Sequence, residues 1–149
     1  MNQNESAAMW RLYSATNQAI AIKSTYEVLC DVLPEKVYVG VVKYIDYATE
    51  WLPDGNTFWP YVHKRRSFQH EQELRAVIQN PTRYGKLVLS GPPNQTGELV
   101  PVALESLLKE VIVAPTASEW FRDLVKAITI RYGIEVMVNQ SVLDDAPVF

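Results

Sequence analysis

Residues 111–133 read VIVAPTASEWFRDLVKAITIRYG, a strand pattern followed at once by a helix pattern, and this stretch decides the fold class. The run at 111–113 is short and apolar, which is typical of a buried strand, and Pro115 ends it. Thr116 and Glu119 form a capping box that predicts the start of a helix, and Gly133 marks its end. Five apolar side chains recur at helical spacing and predict its core-facing side: Phe121, Leu124, Val125, Ile128 and Tyr132.

Working outward from this stretch, the same signals predict further helices near Asn4 and Ser24. Strand patterns cover residues 19–23, 37–45, 73–79, 87–89, 99–102 and 134–138, and Gly40 in the strongest of them indicates a bulge or a close backbone approach. Strict alternation of strand and helix fails in the middle of the chain. We therefore predict an α+β fold with a mixed sheet of about five or six strands and three or four helices.

Composition predicts one soluble domain over residues 1–149, with residues 143–149 as a tail. The net charge of −3 gives no general attraction to nucleic acid or to an anionic membrane. No apolar run approaches the roughly 20 residues of a membrane-spanning helix. Cys30 is the only cysteine, so no intrachain disulfide can form, and we expect a cytoplasmic protein.

Residues 63–75, HKRRSFQHEQELR, carry the best candidate site residues. A basic run, Lys64 to Arg66, leads into Phe68, and charged residues then occupy every second position at Glu71, Glu73 and Arg75. If a strand begins near Glu71, these three side chains point to one face of the sheet. Such a row marks either a functional site or a surface ion-pair ladder.

Four motifs together resemble one microbial family. They are ES--MW--Y at residues 5–13, AIAI-ST at 19–25, K---F--E-E-R at 64–75 and V-V-PT---W at 111–120. The chain resembles the family catalogued as domain of unknown function 2971, and the resemblance covers nearly all of it. It implies the C-terminal part of the family domain, because the N-terminal strands and the FNDP-like motif of that family are absent. The resemblance implies no particular activity.

The leading functional interpretation is a binding module for a nucleotide or a partner, either a small molecule or a protein. The enzymatic alternative is a mono-ADP-ribosyltransferase that uses NAD. In that case Glu73 acts as the electrostatic or general-base residue, with Glu71 as its helper. Lys64 and Arg75 contact the anion. Trp10, Tyr13 and Phe68 complete the binding residues, with Trp10 and Tyr13 as walls for a flat ring.

Two weaker interpretations remain open. Glu71 and Glu73 beside Lys64 also suit a magnesium-dependent nuclease, although no further Asp and Lys sit at the expected strand spacing. Lys64 to Arg66 with Phe68 or Trp59 suit a phosphate or nucleic-acid contact, which the acidic net charge disfavours. His63 and His70 are spaced too widely for a usual zinc motif, so we expect two partly exposed histidines and no metal site.

Overall fold

The computed structural model describes residues 5–14, 16–78 and 99–145. Within them the chain forms two compact units. The central unit comprises Leu33–Pro101, and the terminal unit combines Asn2–Val32 with Val102–Phe149. The strand expected at 87–89 and the last part of the tail expected at 143–149 lie outside the described residues.

The described elements mix helices and strands, which confirms the α+β class. In chain order they are α1 (Ala7–Tyr13), β1 (Ile20–Lys23), α2 (Tyr26–Val32), β2 (Val37–Val41), β3 (Lys43–Ile45), a first 3₁₀ helix (Trp59–Val62), β4 (His63–Arg65), a second 3₁₀ helix (Arg66–Glu71), β5 (Leu74–Ile78), α3 (Leu104–Leu107), β6 (Glu110–Val113), α4 (Glu119–Arg131) and β7 (Met137–Gln140). None of the helices in these ranges has the length and apolarity that crossing a membrane requires.

Over the described residues the strands form three separate sheets, of three, two and two strands, and not the one sheet of five or six strands that the sequence predicts. In the terminal unit β6 pairs antiparallel with β1 and parallel with β7. In the central unit β2 pairs antiparallel with β5, and β3 pairs parallel with β4. The strand expected at 37–45 is divided at Val42, because residues 37–41 pair with β5 and residues 43–45 pair with β4. The Val42 N–H donates to the Glu73 carbonyl and so extends the β2–β5 pairing by one residue.

The core of the terminal unit lies between the three-stranded sheet and α4. Its buried members are small and β-branched: Val111, Val113, Ala114, Ala117 and Val138. Trp10, Phe121 and Val125 pack against them. The Gln140 side-chain amide donates to the carbonyls of Ala114, Pro115 and Ala117, which fixes the turn between β6 and α4.

The central unit packs closely around Gly40, which confirms the close approach expected there. A Cβ atom at this position would lie 2.7 Å from Val62 Cγ1 and 3.0 Å from Phe58 Cζ. Ile45, Val42 and Val62 are buried in the same unit. The short 3₁₀ helix that carries Val62 therefore lies directly against β2 because residue 40 has no side chain.

Several element ends differ from the sequence prediction. Ser118 caps α4 by accepting the Phe121 N–H, so the Thr116 capping box is not formed. Ser6 caps α1 through the Met9 N–H, and Thr25 accepts the Val28 N–H at the start of α2 in place of Ser24. The last strand lies at Met137–Gln140 instead of 134–138, and residues 99–102 form no strand.

The core-facing side of α4 is also narrower than expected. Phe121 and Val125 pack on the sheet. Leu124, Ile128 and Tyr132, expected on that same side, are exposed. The spacing of apolar residues identified the helix correctly. It could not show which of its apolar side chains pack on the core and which are exposed.

Candidate functional site

Four charged side chains of the central unit form a continuous ion cluster, Lys64, Glu71, Glu73 and Arg75. Lys64 Nζ donates to Glu71 Oε2 at 2.5 Å and to Glu73 Oε1 at 2.7 Å. Arg75 donates to both oxygens of the Glu73 carboxylate, with Nε 2.9 Å from Oε2 and Nη2 3.2 Å from Oε1. Two cations thus balance two carboxylates within one network.

Three short elements bring these residues together. Lys64 lies in β4, Glu71 ends the second 3₁₀ helix and Arg75 lies in β5. Between the two carboxylates Gln72 takes the left-handed conformation, with φ 46° and ψ 50°, which ends the 3₁₀ helix and starts the extended chain. Glu71 therefore lies in a 3₁₀ helix and Glu73 directly precedes β5, so of the expected strand row of Glu71, Glu73 and Arg75 only Arg75 lies within a strand.

Backbone contacts hold Glu73 in place. Its N–H donates to the Tyr44 hydroxyl at 2.8 Å, and its carbonyl accepts the Val42 N–H at 3.0 Å. Arg75 is fixed at its far end, where Nη1 donates to the Tyr61 carbonyl at 2.8 Å. Glu73 is therefore held through both its backbone and its side chain, which leaves the carboxylate little freedom to reorient.

The charges in the cluster stabilise one another. Hydrogen bonds from Arg75 and then Lys64 lower the pKa of Glu73 to about 2, against its ordinary value of 4.5. The hydrogen bonds of Lys64, first to Glu71 and then to Glu73, raise the pKa of Lys64, and the hydrogen bonds to Glu73 raise the pKa of Arg75. Glu73 therefore stays ionised at neutral pH and is a poor proton acceptor, because a general base works best when its pKa is near the operating pH.

Phe68 contacts the ion cluster through Lys64. Lys64 Nζ lies 4.5 Å from the centroid of the Phe68 ring, a cation–π contact. The side chain of Glu71 is only 8% exposed and that of Glu73 is 24% exposed. The cluster is a partly buried network in which both carboxylates already have cationic partners.

The structure brings together five of the seven predicted site residues: Lys64, Phe68, Glu71, Glu73 and Arg75. Trp10 and Tyr13 belong to α1 of the terminal unit. There the Trp10 indole N–H donates to Glu5 Oε2 at 3.2 Å and its ring packs on the core, while Tyr13 is exposed. Trp10 thus has a structural role within its own unit.

Sequence reasoning missed the loop that follows β3. The N–H groups of Thr49 and Glu50 donate to the Asp46 carbonyl, and Glu50 Oε1 accepts the Asp46 N–H at 3.0 Å. The same Glu50 carboxylate accepts a hydrogen bond from Arg66 Nη2. These bonds anchor the loop to the start of the second 3₁₀ helix, and the next residue, Trp51, is 91% exposed.

Arg65 contacts Tyr47 of the same loop, and Arg65 and Trp51 are the sequence neighbours of the bonded pair Arg66 and Glu50. The Arg65 guanidinium lies 4.9 Å from the centroid of the Tyr47 ring. Within the described ranges Arg65 makes no ion pair, in contrast to Lys64 and Arg66 on either side. We call Tyr47, Trp51 and Arg65 the aromatic-cationic face. A clue in the sequence was the aromatic composition of residues 46–62, but composition does not reveal which rings are exposed.

The histidines differ from expectation in one respect. His63 is buried and its Nδ1 donates to the Trp59 carbonyl at 2.7 Å, whereas His70 is exposed in the second 3₁₀ helix.

Among residues 5–14, 16–78 and 99–145 no three His, Cys, Asp or Glu side chains are grouped so that they could hold a metal ion.

A separate groove of about 420 Å³ lies in the terminal unit, between the C-terminal part of α4 and β7. It is lined mainly by apolar side chains, including Ile130, Ile134 and Val136, with Lys126 and Glu135 as its charged members. None of the predicted site residues lines it.

Comparison with known proteins identifies no relative: no family model matches the chain, and neither a curated protein nor a solved structure does.

Proposed function

We propose that the protein is a binding module and that the central unit binds a nucleotide on the aromatic-cationic face. The observation that carries this proposal is Trp51, which is 91% exposed on a loop that Glu50 and Arg66 anchor. An indole left in water is apolar surface that a flat ligand ring would cover with a gain in free energy. An anchored loop also presents that ring with little ordering cost on binding.

Arg65 supports a phosphate-bearing ligand. Its guanidinium already lies over the Tyr47 ring, and it carries a charge that no acid among the described residues neutralises. A planar guanidinium suits two-point contact with phosphate oxygens. A ring that stacks on Trp51 and a phosphate that contacts Arg65 together describe a nucleotide.

The state of the ion cluster favours binding over catalysis. Lys64 and Arg75 occupy the oxygens of Glu73, and Lys64 also binds Glu71. A carboxylate in this state does not accept a proton readily at neutral pH, so it is a poor general base. The cluster instead links β4, the strand that carries Lys64 and Arg65, to Glu71 of the second 3₁₀ helix and to Glu73 before β5.

Isothermal titration calorimetry with ATP, NAD, adenosine and a short single-stranded oligonucleotide tests the proposal. We expect ATP to bind the full chain, and Trp51→Ala to weaken that binding about 5- to 150-fold, because one stacked base contributes about 1–3 kcal/mol. Arg65→Ala should weaken ATP binding while leaving the affinity for adenosine unchanged, because adenosine has no phosphate.

The matched control is Trp120→Ala, which removes an exposed tryptophan of the terminal unit. It should leave nucleotide binding unchanged. If no nucleotide binds, or if Trp120→Ala weakens binding as much as Trp51→Ala does, the proposed function is wrong.

ADP-ribosyl transfer from NAD is the second candidate, and one observation favours it. Glu73 remains ionised at neutral pH, as a residue that stabilises an oxocarbenium-like centre must be. Nicotinamide release from NAD that is lost in Glu73→Gln but retained in Glu35→Gln, an exposed glutamate of the same unit, would establish this activity. Absence of nicotinamide release from the unaltered protein would exclude it under those conditions.

A further inference from the structure

Helix α4 carries an apolar ridge that its own unit leaves open. The ridge consists of Trp120, Leu124, Ile128 and the C-cap residue Tyr132, which are 63, 38, 45 and 74% exposed. These residues are spaced by four, so they follow one another along a single side of the helix. The core contacts of α4 are made by other side chains, chiefly Phe121 and Val125.

The ridge has the same character when it is read in either direction. An aromatic side chain stands at each end, at Trp120 and Tyr132, and an aliphatic one stands at each inner position, at Leu124 and Ile128. Both pairs are centred on position 126. A second copy of the helix, placed antiparallel, therefore sets each aromatic ring against a ring and each aliphatic side chain against an aliphatic one.

The charges on α4 suit the same arrangement. Glu119 and Asp123 lie in its N-terminal half, where Arg122 is the one cation and contacts both. Lys126 and Arg131 lie in its C-terminal half without acidic residues between them. Antiparallel packing places the N-terminal half of one helix, which has a net charge of −1, alongside the C-terminal half of the other, which carries Lys126 and Arg131. This distribution of charge and the opposed helix dipoles both favour the antiparallel arrangement over the parallel one.

We propose that the protein forms a two-fold symmetric dimer through α4, in which the ridge of one copy packs antiparallel on the ridge of the other. Ridges of residues spaced by four interdigitate at a crossing angle of about −50°, the commonest helix packing in globular proteins. The same surface on both copies closes the assembly at two, as an isologous interface requires.

Sedimentation velocity of the full chain over a concentration series tests the dimer. We expect a monomer–dimer equilibrium, and Ile128→Glu should raise its dissociation constant roughly tenfold or more, because the substitution places an unpaired charge within an apolar contact. The matched control is Ile130→Glu, which alters an exposed isoleucine of α4 outside the ridge and should leave the dissociation constant unchanged. Circular dichroism verifies that both variants are folded.

A cross-linking experiment covers the case in which the glutamate variants fail to fold. In a Cys30→Ser background, Ala127→Cys places an exposed thiol beside the proposed two-fold axis, whereas Ile130→Cys places one on the far side of the helix. Mild oxidation should yield disulfide dimers only from Ala127→Cys. A monomer at every concentration, or equal cross-linking of both variants, would overturn the proposal. A monomer would indicate that the ridge binds a different protein.

Discussion

At the scale of single residues, Glu73 determines how the central unit responds to acid. Its pKa of about 2 lies below the ordinary 4.5 because Arg75 and Lys64 hold the ionised form. A lowered pKa in the folded state stabilises the fold above the unfolded-state pKa, and this contribution is lost as the pH falls towards 2. Because the side chain is 24% exposed, solvent screening reduces the effect.

We expect the free energy of unfolding to fall by about 1–2 kcal/mol between about pH 5 and pH 2 through this residue alone. Urea denaturation at a series of pH values measures the fall. Glu73→Gln should lower stability at pH 7 and flatten its dependence on pH. The control variant Glu35→Gln should leave both unchanged. An unchanged pH dependence in Glu73→Gln would show that the ion cluster contributes nothing to stability.

The pattern of residues 63–75 identified the members of the ion cluster as candidates, although it placed Glu71 at the start of a strand and the structure places it in a 3₁₀ helix. Phe68, Glu71, Glu73 and Arg75 follow Lys64 closely in the chain, and all five do meet. The left-handed turn at Gln72 was not predictable, because a glutamine gives no signal for a positive φ. Trp51 was missed for a related reason: a ring in an irregular segment is equally compatible with a core position and with full exposure.

At the scale of elements, the types of helix and strand followed from local pattern, whereas their ends depended on tertiary contacts. The strand pattern at 37–45 is continuous in sequence, but its first part pairs with β5 and its last part pairs with β4, two segments that lie further along the chain. Likewise both Thr116 and Ser118 can cap a helix, and a carbonyl turn held by Gln140 places Ser118 at the N-cap position. Neither contact can be inferred from neighbouring residues.

The two alternative caps of α4 give a direct test. Ser118→Ala should destabilise the protein by about 0.5–2 kcal/mol, because the Phe121 N–H loses its side-chain acceptor. Thr116→Ala removes the cap expected from sequence and should change stability little, since Thr116 is exposed and does not cap α4. Chemical denaturation of both variants measures the difference. The opposite ranking would place the start of the helix two residues earlier.

Gly40 gives a test of how β2 packs. Gly40→Ala would bring a methyl group to 2.7 Å from Val62 Cγ1, so the first 3₁₀ helix or β2 must shift. We expect a loss of about 1–3 kcal/mol, typical of overpacking. Combining it with Val62→Ala should restore part of the loss measured by thermal unfolding, because the smaller side chain vacates that volume. Strictly additive effects of the two substitutions would rule out this contact as the cause.

At the scale of the whole molecule, the terminal unit is built from two chain segments that the central unit separates in sequence. Strand β1 of the first segment pairs with β6 of the second, and Lys23 forms an ion pair with Glu110 at 2.8 Å across 87 positions. The hydrogen bond of Ser141 to Glu5 spans 136 positions. Contacts this distant are invisible to local sequence pattern, and loop closure makes them slow to form during folding.

The hydrogen bond between Ser141 and Glu5 joins two residues that are 136 positions apart, and its contribution to stability can be measured. Ser141 is buried, and its hydroxyl donates to a Glu5 oxygen that also accepts the Trp10 indole N–H. Ser141→Ala should destabilise the protein by about 1–3 kcal/mol, because the carboxylate loses a buried donor. Ser106→Ala, an exposed serine of α3, should have little effect in the same denaturation experiment.

A double-mutant cycle then separates this link from simple loss of packing. If the hydroxyl acts through Glu5, the double variant Glu5→Gln with Ser141→Ala should be less destabilised than the sum of the single variants, because the second substitution removes a bond already lost. The refolding rate should fall less than the unfolding rate rises, since so distant a contact forms late. Full additivity would mean that the two ends of the terminal unit stabilise it independently.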